Sequence, residues 1–475
     1  MISIEGRSIL TAAQVRAAED ALIAGGISVD QLMVRAGAGV ATWVARLAGS
    51  RSVLVLCGPG NNGGDGYVAA ARLRAAGVNV RVAASADPAS GAAQRARAEW
   101  NGPVEAMETA EPASVVVDSV FGTGLSRPMD KGVEHALTQL TAAAQISVAV
   151  DLPSGVNTDT GAVLGNIDID YDLTVALGAV KPAHVLQPAA KRCGAVRLVD
   201  IGLDDGPVPC GSDLVMTRPA FQRPTPIDHK YTRGMVIVIG GDMPGAAALT
   251  AEAALHAGAG YVLSLGDRLA LPHAIVQQPW SAEALARALS GKTNVAIVIG
   301  PGLGHGAKAA EKLHAAITSG RPLVIDGDAL HLLDDRAFVQ IRQRRQPVVL
   351  TPHAGEFQAL FGHLSGSKID AARAASQRSG ATVVFKGADT VIARPEGTTM
   401  TALAGNPWLS TAGTGDVLAG AIAATMTTVP RNPVEAGVWL HAAAASRLGG
   451  PFTADELARA LSLALSVWLA GAGHG

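Results

Sequence analysis

Short β-branched runs alternate with longer alanine-rich segments along nearly the whole chain. The runs are Ser52–Cys57, Val78–Ala83, Ser114–Asp118, Ile146–Asp151 and Asp172–Leu177 in the first half, then Met235–Ile239, Val295–Ile299, Leu323–Asp326, Val348–Leu350 and Thr382–Phe385 in the second. Most are continuously apolar, which predicts strands covered on both faces. The segments between them have helical length, so the pattern predicts an α/β fold with parallel sheets layered between helices. Thr11-Ala-Ala-Gln14 and Ser28-Val-Asp-Gln31 have capping-box form and open two N-terminal helices that end at Gly25-Gly26 and near Gly49. From Gly206 to Gly234 the alternation lapses into a stretch with Pro207, Pro209, Pro219, Pro224 and Pro226, where a domain linker is expected. Two domains, 1–213 and 228–475, joined by 214–227, follow from this pattern, and no internal repeat relates them.

Length agrees, because 475 residues exceed what one typical core serves. With 48% hydrophobic residues, 55 glycines and 16% charged residues, the composition is that of a compact Ala/Gly-rich protein. The longest apolar stretches, near Val417–Val429 and Leu457–Ala472, are short or interrupted by Arg459, Ser462 and Ser466, which suits buried helices rather than bilayer spans. Glu5, Arg7, Glu19 and Asp20 break the N-terminal region, so no signal peptide is expected and a cytoplasmic protein is. Cys57, Cys193 and Cys210 lack metal or disulfide spacing and are expected to be buried thiols. A formal charge of −2, with no basic run beyond Arg342–Arg345, points away from nucleic acid and toward small-molecule chemistry.

Two glycine-and-carboxylate loops carry that chemistry. The first, Gly58-Pro-Gly-Asn-Asn-Gly-Gly-Asp-Gly66, follows a strand and opens a helix, so free backbone N–H groups there can hold an anion. It satisfies G-x-G-x-x-G, and a dinucleotide turn or a ligand-free glycine turn both explain that much. Neither accounts for Asn61, Asn62 and Asp65. Asp118-Ser-Val-Phe-Gly-Thr-Gly124 and Asp151-Leu-Pro-Ser-Gly-Val156 end neighbouring strands, where a doubly wound sheet places its ligands. Asp65, Asp118 and Asp151, with Asn62 and Ser154, are expected to form an oxygen cage for a hard cation; for any one of these aspartates a helix cap is an equal alternative.

These motifs resemble the N-terminal domain of NAD(P)H-hydrate epimerases, across nearly all of residues 1–213. The resemblance implies a Rossmann-like three-layer domain with potassium at Asn62, Asp118 and Ser154. It also implies contacts to the hydrated nicotinamide nucleotide from Asn61, Asn62, Gly63, Gly64 and Asp65, from Gly122, Thr123, Gly124, Leu125, Ser126, Arg127 and Pro128, and from Asp151. Asp151 is the candidate acid/base group, because proton transfer needs a carboxylate within reach of the hydroxyl-bearing carbon. Where such epimerases usually have Leu-Met-Glu-Asn-Ala-Gly, this chain has Leu32-Met33-Val34-Arg35-Ala36-Gly37.

The second loop, Ser410-Thr-Ala-Gly-Thr-Gly-Asp416, precedes Val417-Leu-Ala-Gly-Ala-Ile. It offers successive N–H donors, a helix N-terminus and a carboxylate to take a hydroxyl proton, which phosphoryl transfer needs. A plain glycine turn capped by Asp416 explains the loop but not Lys386-Gly-Ala-Asp-Thr390, Thr351-Pro-His-Ala-Gly-Glu356, Gly300-Pro-Gly-Leu-Gly304 and Asp326-Gly-Asp328, all at strand ends. Gly291-Lys292-Thr293 is no P-loop, since Ala286 stands where its first glycine belongs. An isolated lysine such as Lys386 is by default a surface residue, but its place after a strand and before a glycine favours a phosphate role.

This half resembles the ADP-dependent NAD(P)H-hydrate dehydratases, which have a ribokinase-like fold, from about residue 228 onward. By that resemblance Lys386, Gly387, Ala388, Asp389 and Thr390, with Gly413, Thr414 and Gly415, bind AMP or ADP. Ala247, Gly302, His353 and Asp416 bind the hydrate, Asp416 is catalytic, Glu356 is a magnesium ligand, and His441 belongs to the shared motifs. The whole chain is thus expected to epimerise R and S hydrates of NADH and NADPH and to dehydrate the S form with Mg²⁺-ADP, leaving AMP and phosphate. A homo-oligomer is expected, with Thr11–Gly49 as its surface. A small-molecule kinase, a nucleotide sensor with an inactive first domain, and a hydride-transferring dehydrogenase are the rival functions; the last leaves the second half unexplained.

Overall fold

The computed structural model describes residues 3–203, 212–363, 365–403 and 405–471. The chain divides into two compact units, Met1–Val215 and Met216–Gly475.

In the first unit seven strands form one parallel sheet: β1 (Val53–Cys57), β2 (Val80–Ala84), β3 (Val104–Ala106), β4 (Val115–Ser119), β5 (Ile146–Val150), β6 (Leu173–Leu177) and β7 (Ala195–Val199). Their order is β3-β2-β1-β4-β5-β6-β7, the doubly wound layout expected. Val53, Val55 and Cys57 feed the core on one face, while Leu54 and Leu56 feed the other. This two-sided burial is why β1 reads as an unbroken apolar run. The reversal of strand order lies between β1 and β4, so the ends of β1, β4 and β5 share one crevice.

Both N-terminal capping boxes form, on helices Ala12–Ala24 and Val29–Ala48. The second helix buries Leu32, Met33, Ala36, Val40, Ala41, Val44 and Ala48 within its own unit, so its apolar stripe is used internally. A short strand, β8 (Asp213–Val215), occupies the start of the expected linker. It is fixed by backbone bonds to the N-terminal segment, from Ile9 N to Asp213 O at 2.8 Å and from Val215 N to Arg7 O at 2.9 Å. Residues 204–211, including Gly206, Pro207, Pro209 and Cys210, lie outside the described residues. Cys57 and Cys193 are buried thiols as expected, and burial pushes each up to about 12.

The second unit holds β9 (Met235–Ile239), β10 (Tyr261–Leu265), β11 (Val276–Gln278), β12 (Val295–Ile299), β13 (Leu323–Ile325), β14 (Val348–Leu350), β15 (Thr382–Phe385), β16 (Val391–Ala393) and β17 (Thr399–Thr401), in the order β11-β10-β9-β12-β13-β14-β15-β16-β17. Strands β11 to β15 are parallel, while β16 and β17 return antiparallel. The mixed sheet between helical layers is the ribokinase-like arrangement. Val236 and Val238 pack on one face of β9, and Met235, Ile237 and Ile239 on the other. Among the described residues no helix is long and apolar enough to cross a membrane.

Candidate active sites

The first site starts where β1 gives way to the helix Asn61–Ala75. The N-cap is Gly60 and makes no side-chain cap, so the first amides of that helix are left for a ligand. The glycines are sterically required. A Cβ on Gly63 would lie 1.9 Å from Gly58 O, and one on Gly58 would lie 1.9 Å from Val120 O. Asn61 is exposed and accepts the Ser90 hydroxyl at 2.6 Å. The Asn62 amide is different: Oδ1 and Nδ2 are both out of solvent and neither has a hydrogen-bond partner among the described residues. A buried, unpartnered amide costs roughly 1–3 kcal/mol unless something fills its coordination.

Asp118, in β4, is fully buried. Its Oδ1 accepts Val120 N at 3.0 Å and the Ser154 hydroxyl at 2.7 Å; its Oδ2 accepts Ser154 N at 3.0 Å and the Tyr171 hydroxyl at 2.6 Å. Burial raises its carboxyl despite those bonds, and no ion pair within 4 Å is found for it among the described residues. The three-carboxylate cage expected from Asp65, Asp118 and Asp151 does not form: among the described residues no group of three or more acidic, His or Cys side chains can hold a metal. Asp118 is occupied by neutral donors and Asp151 by a cation. What remains for a cation is the unpartnered Asn62 amide oxygen and the Ser154 hydroxyl on Asp118, an oxygen donor set with a single carboxylate, whose chemistry suits a monovalent alkali ion better than a divalent one.

Asp151 follows β5 in the left-handed region, at φ 66°, which costs a non-glycine residue about 1–3 kcal/mol. Its carboxylate receives the Lys181 ammonium on Oδ1 and the Thr123 hydroxyl on Oδ2. Burial raises this carboxyl, but Lys181 and the hydrogen bonds together outweigh burial and hold it below the ordinary value. Asp65, on the helix Asn61–Ala75, goes the other way: burial, then the fields of Asp151 and Glu19, push it well up. Lys181 is 1% exposed. A lone lysine after a Gly-Ala-Val turn matches no motif, and the signal it carries in sequence is Lys181-Pro-Ala-His184 shortly after β6.

Gly122 lies between these groups. A Cβ there would sit 3.1 Å from Asn62 Oδ1 and 3.2 Å from Asp151 Oδ2, so its absence leaves space over both. Thr123 is tied down through its carbonyl by the Thr158 hydroxyl at 3.0 Å. Gly124, Ser126, Arg127 and Pro128 are exposed along the following loop, with Leu125 turned back on Gly122 O at 3.3 Å. In the divergent segment, Met33 packs on Gly64, Arg35 donates to Ile201 O at 2.9 Å, and Val34 is exposed.

The second site gathers the ends of β13, β14 and β15 with the helix Thr414–Thr428. Gly413 is its N-cap at φ 88°, again with no side-chain cap. Lys386, after β15, lies 2.8 Å from Asp326 Oδ1 and 3.6 Å from Glu356 Oε2, and a Cβ on Gly415 would be 3.4 Å from its nitrogen. Burial lowers the Lys386 ammonium's proton affinity, but Asp326 and Glu356 more than restore it. Asp416 is pushed up to about 7, first by burial and then by Asp326, with Lys386 opposing. His441 is buried and neutral, pushed down to about 4 by burial, and its Nε2 lies 2.9 Å from Thr414 O, bracing the loop. The Thr414 hydroxyl donates to Leu409 O and Thr411 O.

Ala247 is buried on the helix Pro244–His256, and Gly302, at φ 62°, faces Met243 O with no room for a side chain. His353 caps the helix Ala354–Phe361 through Nδ1 and leaves its ring 60% exposed. Glu356 closes that capping box by accepting His353 N at 2.8 Å. The same oxygen lies 3.6 Å from the Lys386 ammonium, while Oε1 lies 3.4 Å from His353 Nε2. In the Lys386–Thr390 turn, Gly387 and Thr390 hydrogen-bond each other, while Asp389 takes the Lys368 ammonium at 2.6 Å. Lys368, over the Phe385 ring at 4.6 Å, is a partly buried cation that no motif announced.

Comparison with known proteins follows the same two halves. A family model described as NAD(P)H-hydrate dehydratase matches residues 236–465, and one described as YjeF-related protein N-terminus matches residues 29–183. The bifunctional NAD(P)H-hydrate repair enzyme of Gloeobacter violaceus is 35% identical over 98% of each chain. Those of Thermofilum pendens and Escherichia coli are each 34% identical, over 91% and 90% of this chain and 89% and 87% of their own. Among solved structures, the ADP/ATP-dependent NAD(P)H-hydrate dehydratase from Bacillus subtilis, co-crystallised with ATP and Mg²⁺, is 27% identical over 53% of this chain and 95% of its own, with a TM-score of 0.46.

Proposed function

The chain belongs to the family of bifunctional NAD(P)H-hydrate repair enzymes, and from that premise we propose which of its groups carry each step. It epimerises NAD(P)H hydrates and dehydrates them at the expense of a nucleotide. We assign the first activity to residues 1–213 and the second to 228–475, with 214–227 between them.

The observation that carries the assignment is the opposite setting of two carboxylates. Asp151 is held ionised by Lys181, whereas Asp416 is raised to about 7 by burial and its acidic neighbours. An ionised Asp151 suits a base. The hydrated carbon bears both a hydroxyl and the ring nitrogen. Asp151 takes the hydroxyl proton, the C–O bond becomes a carbonyl, and the bond to nitrogen breaks with its electron pair left on nitrogen. Rotation and reclosure on the other face, with the proton returned, give the other epimer. Asn62, Asp118 and Ser154 would hold potassium, whose positive charge would neutralise the buried Asp118 and satisfy the Asn62 amide oxygen. Asn61–Asp65 and Gly122–Pro128 form the walls around the nucleotide.

In the second site hydroxide is a poor leaving group, so it must be activated. Asp416, near its own midpoint at neutral pH, takes the hydroxyl proton of the S hydrate while the oxygen attacks the terminal phosphorus of ADP. The bond to AMP breaks, and AMP leaves with the electron pair. Lys386 and the uncapped amides of Gly413–Gly415 offset the developing charge. The C–O bond then breaks toward phosphate, pushed by the ring nitrogen, and loss of a neighbouring ring proton restores the dihydronicotinamide. Magnesium would arrive on the nucleotide phosphates, supplying charge neutralisation there. Incubating the S hydrate with Mg²⁺-ADP tests the scheme: one phosphate and one AMP should form per reduced nucleotide recovered, and a stable phosphorylated product would overturn it.

A further inference from the structure

Lys181 and His184 form a closed hydrogen-bonded ring with Asp151. The Lys181 ammonium donates to Asp151 Oδ1 and to Leu177 O, the latter at 2.6 Å. The Lys181 backbone N–H donates to His184 Nδ1 at 2.9 Å, which leaves the ring proton on Nε2, 2.6 Å from the carbonyl oxygen of Asp151. His184 is therefore a neutral donor, in keeping with a ring pushed down to about 4 by burial and Lys181. Leu177 N adds a second contact to Oδ1 at 3.2 Å. Both ends of Asp151, main chain and carboxylate, are thus held by the Lys181–His184 turn, in a backbone conformation that a free aspartate avoids.

The ring divides the labour of the carboxylate. Oδ1 is covered by a lysine 1% exposed and by a backbone amide, so it cannot meet a ligand. Among the described residues Oδ2 carries only the Thr123 hydroxyl, and it lies under the gap left by Gly122. We infer that Lys181, anchored through His184, is a positioning residue of the epimerase site, aiming Asp151 Oδ2 at the substrate hydroxyl and sparing it a neutral, misdirected rotamer. This rests on the assignment of Asp151 as the proton-transfer group. The other charged groups facing Asp151 are Asp65, from the helix Asn61–Ala75, and Glu19, from the helix Ala12–Ala24. Both are acidic, so Lys181 is the cation that opposes them.

The test compares Lys181→Met, Lys181→Arg and Asp151→Asn in the full chain, following epimerisation of the R hydrate across pH. Dehydration of the S hydrate by the same molecules, and the melting temperature, report folding. Lys181→Met is expected to lower kcat at neutral pH at least about tenfold and to move the acid limb upward by about one pH unit or more, with KM nearly unchanged. Lys181→Arg keeps the charge, so its acid limb stays with the parent while kcat falls; it decides the matter if the Met variant does not fold. A folded Lys181→Met with the parent's acid limb, or an Arg variant displaced like Met, overturns the inference. If Asp151→Asn retains epimerisation, the assignment of Asp151 itself fails, which is a separate result.

Discussion

The Lys386 ammonium sits 2.8 Å from Asp326 Oδ1, while Asp416, the carboxylate beside the phosphate loop, has no ion pair within 4 Å among the described residues. The cation's closest partner is a neighbouring acid, and the base stays near its midpoint at neutral pH. On the roles proposed above, that division would let Asp416 accept a proton and let Lys386 meet phosphate without losing a catalytic partner.

Asp416→Asn should therefore abolish dehydration, by about a thousandfold, as expected when a general base is lost. In the parent, the rate should fall as pH drops through about 7, because the ionised form is the base. The stability effect has the opposite sign. Since the folded carboxyl binds its proton more tightly than the unfolded one, the fold loses stability as pH rises from the ordinary carboxylate range to about 7 and carries the full cost above that. The Asn variant should thus melt higher than the parent at about pH 8, with the gap closing at about pH 4. Calorimetry at both values checks this.

Lys386→Met should raise KM for ADP at least about tenfold, since the lysine supplies the charge at the phosphate loop. It also leaves Asp326 buried without its cation, so a lower melting temperature is expected. Supplying saturating ADP should recover part of the rate. Titration of nucleotide binding by calorimetry separates the two effects.

Epimerisation should depend on potassium through Asn62. Exchanging potassium chloride for choline chloride should slow the parent severalfold, and Asn62→Ala should remove the difference. Dehydration of the S hydrate by the same chain should be insensitive to the Asn62 change, which gives an internal control. A variant that keeps the parent's potassium response would remove Asn62 from the ion's ligands.

Much of this architecture was legible because two-sided burial writes β1, β9 and β12 as unbroken apolar runs. Other strands escaped: β3 (Val104–Ala106), β11 (Val276–Gln278) and the antiparallel pair β16 and β17 are three residues each, too short to show a period, and β7 (Ala195–Val199) and β10 (Tyr261–Leu265), interrupted by Arg197 and Ser264, were not among the expected runs. The glycine loops announced themselves because their backbone approaches tolerate no Cβ. Lys181 and Lys368 did not, since their roles arise from partners thirty and twenty-one residues away across the sheet. The expected carboxylate cage failed for the same reason. Proximity at a sheet edge is visible in sequence, but the Tyr171 hydroxyl and Lys181 ammonium that claim Asp118 and Asp151 are not.

Gly122→Ala should damp epimerisation by about tenfold or more while leaving the fold intact, because a methyl group would enter the space over Asp151 Oδ2 and Asn62 Oδ1. Unchanged kinetics in a folded variant would move the substrate away from that gap.

The most direct test of two successive chemistries is recovery of reduced nicotinamide absorbance from a mixture of both hydrate epimers with Mg²⁺-ADP. The parent chain should recover the whole pool. Asp151→Asn should stop at the S fraction, apart from slow spontaneous exchange, and adding Asp416→Asn protein should release the rest, since each variant supplies the step the other lacks. Recovery of both epimers by Asp151→Asn alone at the parent's rate would contradict the account.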